Sequence, residues 1–457
     1  MSSLVLVSLL IATQAMESRA LAARQHGDGS PRPTVIHSAG GKRIKSAAAQ
    51  IPYILTSRTG HEAGEPTLGL IDDGTIFYGS YTDSLNVDVL RSEDQGQSWQ
   101  VVSPTLPTGQ NRHVLTVDPY VYVDEATDRV FTVDLFGLAC GYLSFSDNRG
   151  ETWITNPIAC GRPVNDHQTL FAGPPAISPT ILYPNVVYYC FQDLFLAQCS
   201  KSLDGGLTFF STGSPAFAPG PSCIDGAFHG AGVVGADGAV YLPKEHCDQP
   251  FLAVSHDEGA TWTQVQVADN GAQQDPSVDV DTDGNVYYTW VGADLLPYLS
   301  VSRDGGSTWS DPLMIGAPGV LRSNLVTIDV GAPGRIAFLY MGTEDRKPPT
   351  TWNGYMGMST SALRQRPIFY TAKANPETDP LKRGGCGPGR CGEEVLDFLD
   401  VVIAPDGTTW GSFVDACDKR CARSGIAGGN EGIAGHLVGG PSLRKSARNA
   451  LPARSPD

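Results

Sequence analysis

The chain has 457 residues, of which 41% are hydrophobic, 18% charged and 9% aromatic, a globular composition long enough to bury a large core or several small ones. A formal net charge of −16 repels nucleic acid and anionic membranes, which excludes DNA, RNA and lipid surfaces as natural partners. Gly (52) and Pro (33) are abundant, helix-period patterning is missing, and short alternating apolar runs recur from about residue 50 to 440, so the fold class predicted is all-β.

In chain order, Leu4 to Thr13 (LVLVSLLIAT) is apolar but too short to span a bilayer, and small residues follow at Ala15, Ala20, Ala22 and Ala23. This is the shape of a secretory signal peptide over residues 1–23, although its first residues carry no Lys or Arg. No later segment is long and apolar enough for a transmembrane anchor, and the expectation is a secreted, extracellular protein. Residues 24–49 read as a linker in which Thr34 to His37 (TVIH) forms a candidate ring-closing strand, residues 50–442 as the folded body, and residues 443–457 as a flexible basic tail. The ten cysteines fall in close pairs: Cys140 with Cys160, Cys190 with Cys199, Cys223 with Cys247, Cys386 with Cys391 and Cys417 with Cys421. Spacing does not fix connectivity, but local disulfides that staple individual hairpins suit these pairs better than a zinc site, since no His lies among the last four.

A repeat runs through the body. Ser92-Glu-Asp94-Gln-Gly96-Gln-Ser98-Trp99 recurs from Ser202 to Phe209, from Ser255 to Trp262 and from Ser302 to Trp309, and with Asn148 in place of Asp from Ser146 to Trp153; a degraded sixth copy starts at Ser359. The Asp or Asn side chain can accept bonds from amides ahead of it and fix a turn, the Gly permits positive φ, and the aromatic residue packs back between sheets. This pattern resembles the Asp box, S-x-D-x-G-x-[ST]-[WF], of the sialidase-like (BNR repeat) β-propeller family. A second element precedes each box: EPTLGLIDDGTIFYGS at Glu65 matches DPSVDVDTDGNVYYTW at Asp275, with weaker versions at Asp118, Asp166, His229 and Asn324 and a seventh at Asp400. Each reads as strand, tight turn, strand, with the box joining the third and fourth strands of the same unit. The architecture predicted is a β-propeller of four-stranded blades, seven favoured and six the alternative implied by the resemblance to sialidases.

The boxes and the starts of the first strands then lie on opposite faces, and chemistry is sought at the latter, around the mouth of the central channel. Glu65, Asp118, Asp166 with His167, His229, Asp275, Asn324 and Asp397 occupy those starts. Mutual repulsion of carboxyls gathered there would shift their pKa values, and Glu65, Asp118 and Asp275 are the catalytic candidates. Arg58, Arg112, Arg162 and Arg322 occur shortly before first strands and are candidates, with His167 and His229, for gripping a substrate. The resemblance to sialidases implies a retaining glycosidase with a Tyr nucleophile activated by Glu, an Asp acid/base and three Arg on the substrate carboxylate. The first of those Arg belongs to an [FY]-R-I-P motif, where this chain has Gly64-Glu65-Pro66-Thr67; the late tyrosines Tyr340, Tyr355 and Tyr370 have no Glu that sequence pairs with them. Asp279, Asp281 and Asp283 open like a calcium loop, but Trp290 stands where its bidentate Glu belongs, so no metal and no cofactor is expected. The balance favours a secreted propeller that recognises carbohydrate or a cell-surface glycoconjugate without sialidase activity, over the alternative of an exo-acting glycoside hydrolase. Glu65, His229 and Asp275 should share one cleft, with at least two arginines pointing into it.

Overall fold

The computed structural model describes residues 32–45, 51–82, 86–104, 116–160, 164–179, 182–219, 228–273, 275–347, 350–386, 391, 395, 397–417 and 430–444. Every regular element named among them is a strand, and no helix is long and apolar enough to cross a membrane. Seven antiparallel sheets, each with at least four strands, are arranged around a channel so that each innermost strand neighbours the next and the last neighbours the first. The innermost strands are Thr67–Leu70, Thr116–Asp124, Asp166–Gly173, Val233–Val234, Ser277–Val280, Arg322–Val330 and Val401–Ile403, which we number as blades 1 to 7. The fold is a β-propeller.

The second strand of each blade is covered on both faces by the adjoining blades, so it reads as an apolar run instead of an alternating one. Val286–Val291 (VYYTWV) of blade 5 and Ile336–Thr343 of blade 6 are buried at every residue, whereas the outermost strand Thr263–Gln266 of blade 4 is mostly exposed. The core therefore lies between blades: Phe131 and Phe145 of blade 2 cluster with Leu170 and Tyr189 of blade 3, and Tyr287 and Leu299 of blade 5 with Ile328 and Phe338 of blade 6.

The repeated eight-residue turn joins the third and fourth strands as expected, and its bonds are nearly identical from copy to copy. In blade 4, Asp257 accepts from Ser255 Oγ at 2.8 Å, from Thr261 N at 2.8 Å and from Thr261 Oγ1 at 2.6 Å, while Gly259 N donates to Ser255 Oγ at 2.8 Å. Trp99 shows the job of the aromatic position: it is buried, meets Tyr78 edge-on at 5.9 Å and donates to Gly96 O at 3.2 Å.

One expectation about the ring is corrected. Thr34 to His37 does not complete the last blade. Tyr53–Arg58 does, pairing with Glu431–Val438 from Arg58 opposite Ile433 to Tyr53 opposite Val438. Val35–Ser38 instead extends blade 6 by pairing with Ile368–Lys373. The physical reason is chain connection: a strand ending at Arg58 passes through residues 59–66 directly into Thr67 of blade 1, a link one residue longer than the one from Ile158 to Asp166 between blades 2 and 3.

An innermost strand has one edge facing the channel, where its N–H groups have no strand to bond. Side chains of the preceding blade answer them. Thr67 Oγ1 accepts from Val121 N (2.7 Å), Tyr122 OH from Ala172 N (3.1 Å), Ser277 Oγ from Ile328 N (3.2 Å) and Asp400 Oδ2 from Leu68 N (2.9 Å). Asp279 accepts from Val330 N and Asp329 from Ile403 N in the same way. Polar residues on these strands thus stitch the ring from one blade to the next. Asp281, from the calcium-like run, serves its own hairpin by accepting from Asp283 N, Asn285 and Tyr287 OH.

Disulfides join Cys140 to Cys160, Cys190 to Cys199 and Cys386 to Cys391. Cys247 and Cys417 are also disulfide-bonded; their expected partners, Cys223 and Cys421, lie outside the described residues.

Candidate functional site

The starts of the innermost strands converge on one end of the channel, and their backbone is unusual. Glu65, Asp118, His167, Asp275 and Leu325 occupy equivalent places in blades 1, 2, 3, 5 and 6, with φ of 50°, 50°, 51°, 62° and 54°. Non-glycine residues rarely adopt this left-handed region, and strain of this kind gathers at functional sites. Three of the five precede proline (Pro66, Pro119, Pro276), whose ring disfavours the ordinary helical alternative. Strand pairing slips at the same points, between Val133 and Leu135 facing Asp118, between Asp166 and Thr169, and between Asn324 and Thr327. These bulges turn the side chains inward.

His167 is the centre of the cluster. Its Nε2 lies 3.0 Å from Asp275 Oδ1, an ion-pair contact. Its backbone N–H donates to Asp118 Oδ2 at 2.9 Å, and the Gln168 side chain donates to Asp118 O. Phe228 stacks on the imidazole at 4.9 Å and Phe398 meets it edge-on at 5.3 Å. His229 stands perpendicular to it at 6.0 Å. The His229 Nδ1–H donates to Gly230 O at 2.9 Å, which leaves Nε2 as a bare acceptor. Glu65 lies one layer behind, with Oε1 accepting from Asp397 N at 3.3 Å.

Burial and crowding set the charge states. Glu65, 1% exposed, is pushed well above the usual carboxylate range by burial and by Asp118 and Asp397. Burial and the neighbouring Asp166 raise Asp118 to about 7. Burial alone would lower His167, but Asp275, Asp397 and Asp118 outweigh it and lift the imidazole to about 9. Burial and the charge of His167 push His229 down to about 3. The mouth therefore gathers carboxyls raised by burial, an imidazole raised by the carboxyls around it and a second imidazole lowered by burial.

Many polar atoms of this cluster are buried without a hydrogen-bond partner among the described residues: Glu65 Oε2, His167 Nδ1, Gln168 Oε1, Thr169 Oγ1, His229 Nε2 and Asp275 Oδ2. Buried polar groups are nearly always satisfied, so this concentration singles the spot out among the described residues. A cavity of about 50 Å³ opens there, its wall including His167, Thr169, Asp275, Asp397, Phe398 and Asp400. Below it the channel widens to a cavity of about 310 Å³, at whose far end Arg444 pairs with Glu125.

The acidic and His candidates are thus brought together, with Asp118 as a positioning residue that holds the His167 backbone. The two described arginines are not. Arg58 donates to Glu431 at 2.6 Å and Asp415 at 2.5 Å on the outer strands of blade 7. Arg322 reaches Asp345 O at 3.4 Å and the Trp352 ring at 5.9 Å, and neither it nor Arg58 lines the cavity. Arg112 and Arg162 lie outside the described residues. Tyr355 does have a carboxylate partner, donating to Glu344 Oε1 at 2.9 Å, but it sits on the third strand of blade 6, lines neither cavity, and burial raises its pKa further. Phe228 and Phe398 were not legible as site residues, because an apolar residue beside a polar one in a loop carries no signal until the ring folds it over the His. Asp397 was recognised as a strand start but not as part of the cavity wall.

No family model and no curated protein matches the chain. Among solved structures it is similar to a protein of unknown function from Dyadobacter fermentans, at 15% identity over 82% of this chain and 94% of that one, with a TM-score of 0.42. It is also similar to the Aleuria aurantia lectin in complex with alpha-methyl-L-fucoside (9% identity, 65% and 93% covered, TM-score 0.45) and to the leech intramolecular trans-sialidase (12% identity, 81% and 68% covered, TM-score 0.42). At these identities and scores none of them bears on what the mouth binds.

Proposed function

We propose that this propeller is a secreted recognition protein that binds a glycan at the channel mouth through Asp275, His167 and His229, with Glu65 and Asp118 behind them. The observation that carries the reading is the group of buried, unpartnered polar atoms at that one place. A sugar edge offers hydroxyls that donate and accept at close spacing, which suits a wall of mixed carboxyl, imidazole and hydroxyl groups. Disulfides in several blades support export to an oxidising compartment. Sialidase activity is not part of the proposal, because the two described candidate arginines are engaged elsewhere and carboxyls around the mouth repel a carboxylated sugar.

One observation favours a hydrolytic second reading: Glu65, a buried carboxyl pushed well above the usual carboxylate range near the His167–Asp275 pair, has the environment of a general acid. Glycan-array binding by the purified protein, alongside release of a fluorescent reporter from a panel of glycosides, separates the two. Recognition predicts array binding that Asp275→Ala abolishes, with no turnover. Turnover abolished by Asp275→Ala and Glu65→Gln would replace recognition with hydrolysis, and no binding on the array would sink the proposal.

A further inference from the structure

The innermost strand of each blade starts at the mouth and runs away from it, so the turn that joins the second and third strands returns to the mouth face. In blade 2 that turn is residues 137–139 and in blade 3 residues 194–195. Both carry exposed apolar side chains: Leu138 is 37% exposed, Leu194 51% and Phe195 46%, with the exposed Phe136 flanking them. Leu138 and Leu194 also take left-handed backbone, with φ of 54° and 46°. Tight hairpin turns give that place to Gly, Asn or Asp, and blade 4 has Asp248 there at φ 62°. An exposed leucine gains little from burial and strains the backbone at such a place, so folding does not account for it.

Both tips are tied to the segment that carries His167. Leu138 O accepts from the N–H of Asn165, two residues before His167, at 2.9 Å. Leu194 O accepts from the Gln192 side chain at 3.4 Å, and Gln192 stands opposite Asp166 in the ladder. The tips of two neighbouring blades thus make an apolar ledge beside the His167 side of the mouth. A disulfide braces each hairpin: Cys140–Cys160 at the end of the blade 2 turn, and Cys190–Cys199, directly opposite one another, in blade 3. A ledge held in this way loses little freedom when a ligand covers it. Resting on the glycan reading above, we propose that the ligand is a glycolipid whose sugar sits at the mouth while the start of its alkyl chain lies across Leu138, Leu194 and Phe195. Apolar side chains set out over two blades make an elongated surface, which a flexible chain covers and a single aryl ring does not. The occupant is one neutral glycolipid molecule, since a net charge of −16 disfavours contact with an anionic bilayer.

The test is calorimetric titration of the full chain with methyl and octyl β-glycosides of glucose, galactose, mannose and N-acetylglucosamine, kept below the micelle threshold. Octyl triethylene glycol supplies the same chain without a sugar. Each buried methylene is worth about a factor of four in affinity, so a ledge that covers two or more makes the octyl glycoside at least about ten-fold tighter than the methyl glycoside of the same sugar. That gain should vanish in a Leu138→Asn/Leu194→Asn variant while methyl glycoside affinity stays as in wild type; asparagine suits left-handed backbone, so the turns are kept. Equal affinity for methyl and octyl forms, or a gain that survives the double substitution with Phe195→Ser added, overturns the glycolipid and leaves glycan recognition standing. Octyl triethylene glycol binding as tightly as the octyl glycosides, or no binding by any probe, overturns the glycan reading and this inference together.

Discussion

The His167–Asp275 pair makes stability fall on the alkaline side of neutrality. His167 is 3% exposed, and its folded pKa of about 9 stands above the 6.5 of an unperturbed imidazole. A basic group raised in this way contributes stability that is complete below the unfolded pKa and is lost as pH rises through the folded one. The gap corresponds to about 3 kcal/mol, lost at up to roughly 1.4 kcal/mol per pH unit between about 7 and 9. Glu65 and Asp279, raised well above the usual carboxylate range by burial and neighbouring carboxyls, also weaken the fold as pH rises, so the His167 contribution is read from the difference between wild type and a His167 variant. His37, His229 and His436 are lowered by burial to about 4, 3 and 4, so their contribution is present above 6.5 and is lost only as pH falls. Asp118 and Asp400, each near 7, weaken the fold as pH rises to about 8 and add nothing beyond it. Urea unfolding of the wild type at pH 7.5, 8.5 and 9.5 should show the decline. His167→Gln should be less stable at pH 7.5, because it leaves the buried Asp275 carboxyl without its partner, yet should decline less steeply than wild type across the series. A flat wild-type curve, or a variant that keeps the slope, refutes the assignment of His167 as an ion-paired imidazolium.

Two further outcomes test how the ring is held. Asp400→Ala strips Leu68 N of the acceptor that blade 7 offers it and should cost about 1–3 kcal/mol in urea unfolding, whereas Asp400→Asn keeps an acceptor oxygen and should cost less than half as much. Equal losses would place the importance of Asp400 in its charge instead. In the repeated turn, Gly259→Ala combines a φ of 83° with a Cβ only 2.7 Å from Thr212 Cβ, while Gly74→Ala, at φ 86°, meets nothing within 4 Å. Thermal melts should place Gly74→Ala about 1 kcal/mol below wild type and Gly259→Ala several-fold lower, and comparable melts would contradict the close packing of that turn.

Much of the architecture was legible because it repeats. The eight-residue turn advertises a connection between third and fourth strands whose bonds are all local, from Asp257 to Thr261 or from Ser92 to Gly96, so sequence neighbours suffice to specify it. The polar residues at the starts of the innermost strands were legible for the same reason: Glu65, Asp118, His167 and Asp275 hold the same place in blades 1, 2, 3 and 5, and radial repetition brings equal places together.

What tertiary structure alone decided depends on contacts between distant parts of the chain. The pairing of Tyr53–Arg58 with Glu431–Val438 follows from closure of the ring, and no local pattern distinguishes that strand from Val35–Ser38. The same closure draws Arg58 to Asp415 and Glu431 and away from the channel, an orientation that spacing along the chain does not encode. Asp400 becomes an acceptor for Leu68 only because blade 7 meets blade 1, and Phe398 covers His167 only because the last blade returns beside the third strand start. Sequence by itself determined the repeated unit and the polar residues that begin its innermost strands; the curvature of the ring determined their partners, because hydrogen bonds and ion pairs are short-ranged and ring closure sets which distant groups come within reach.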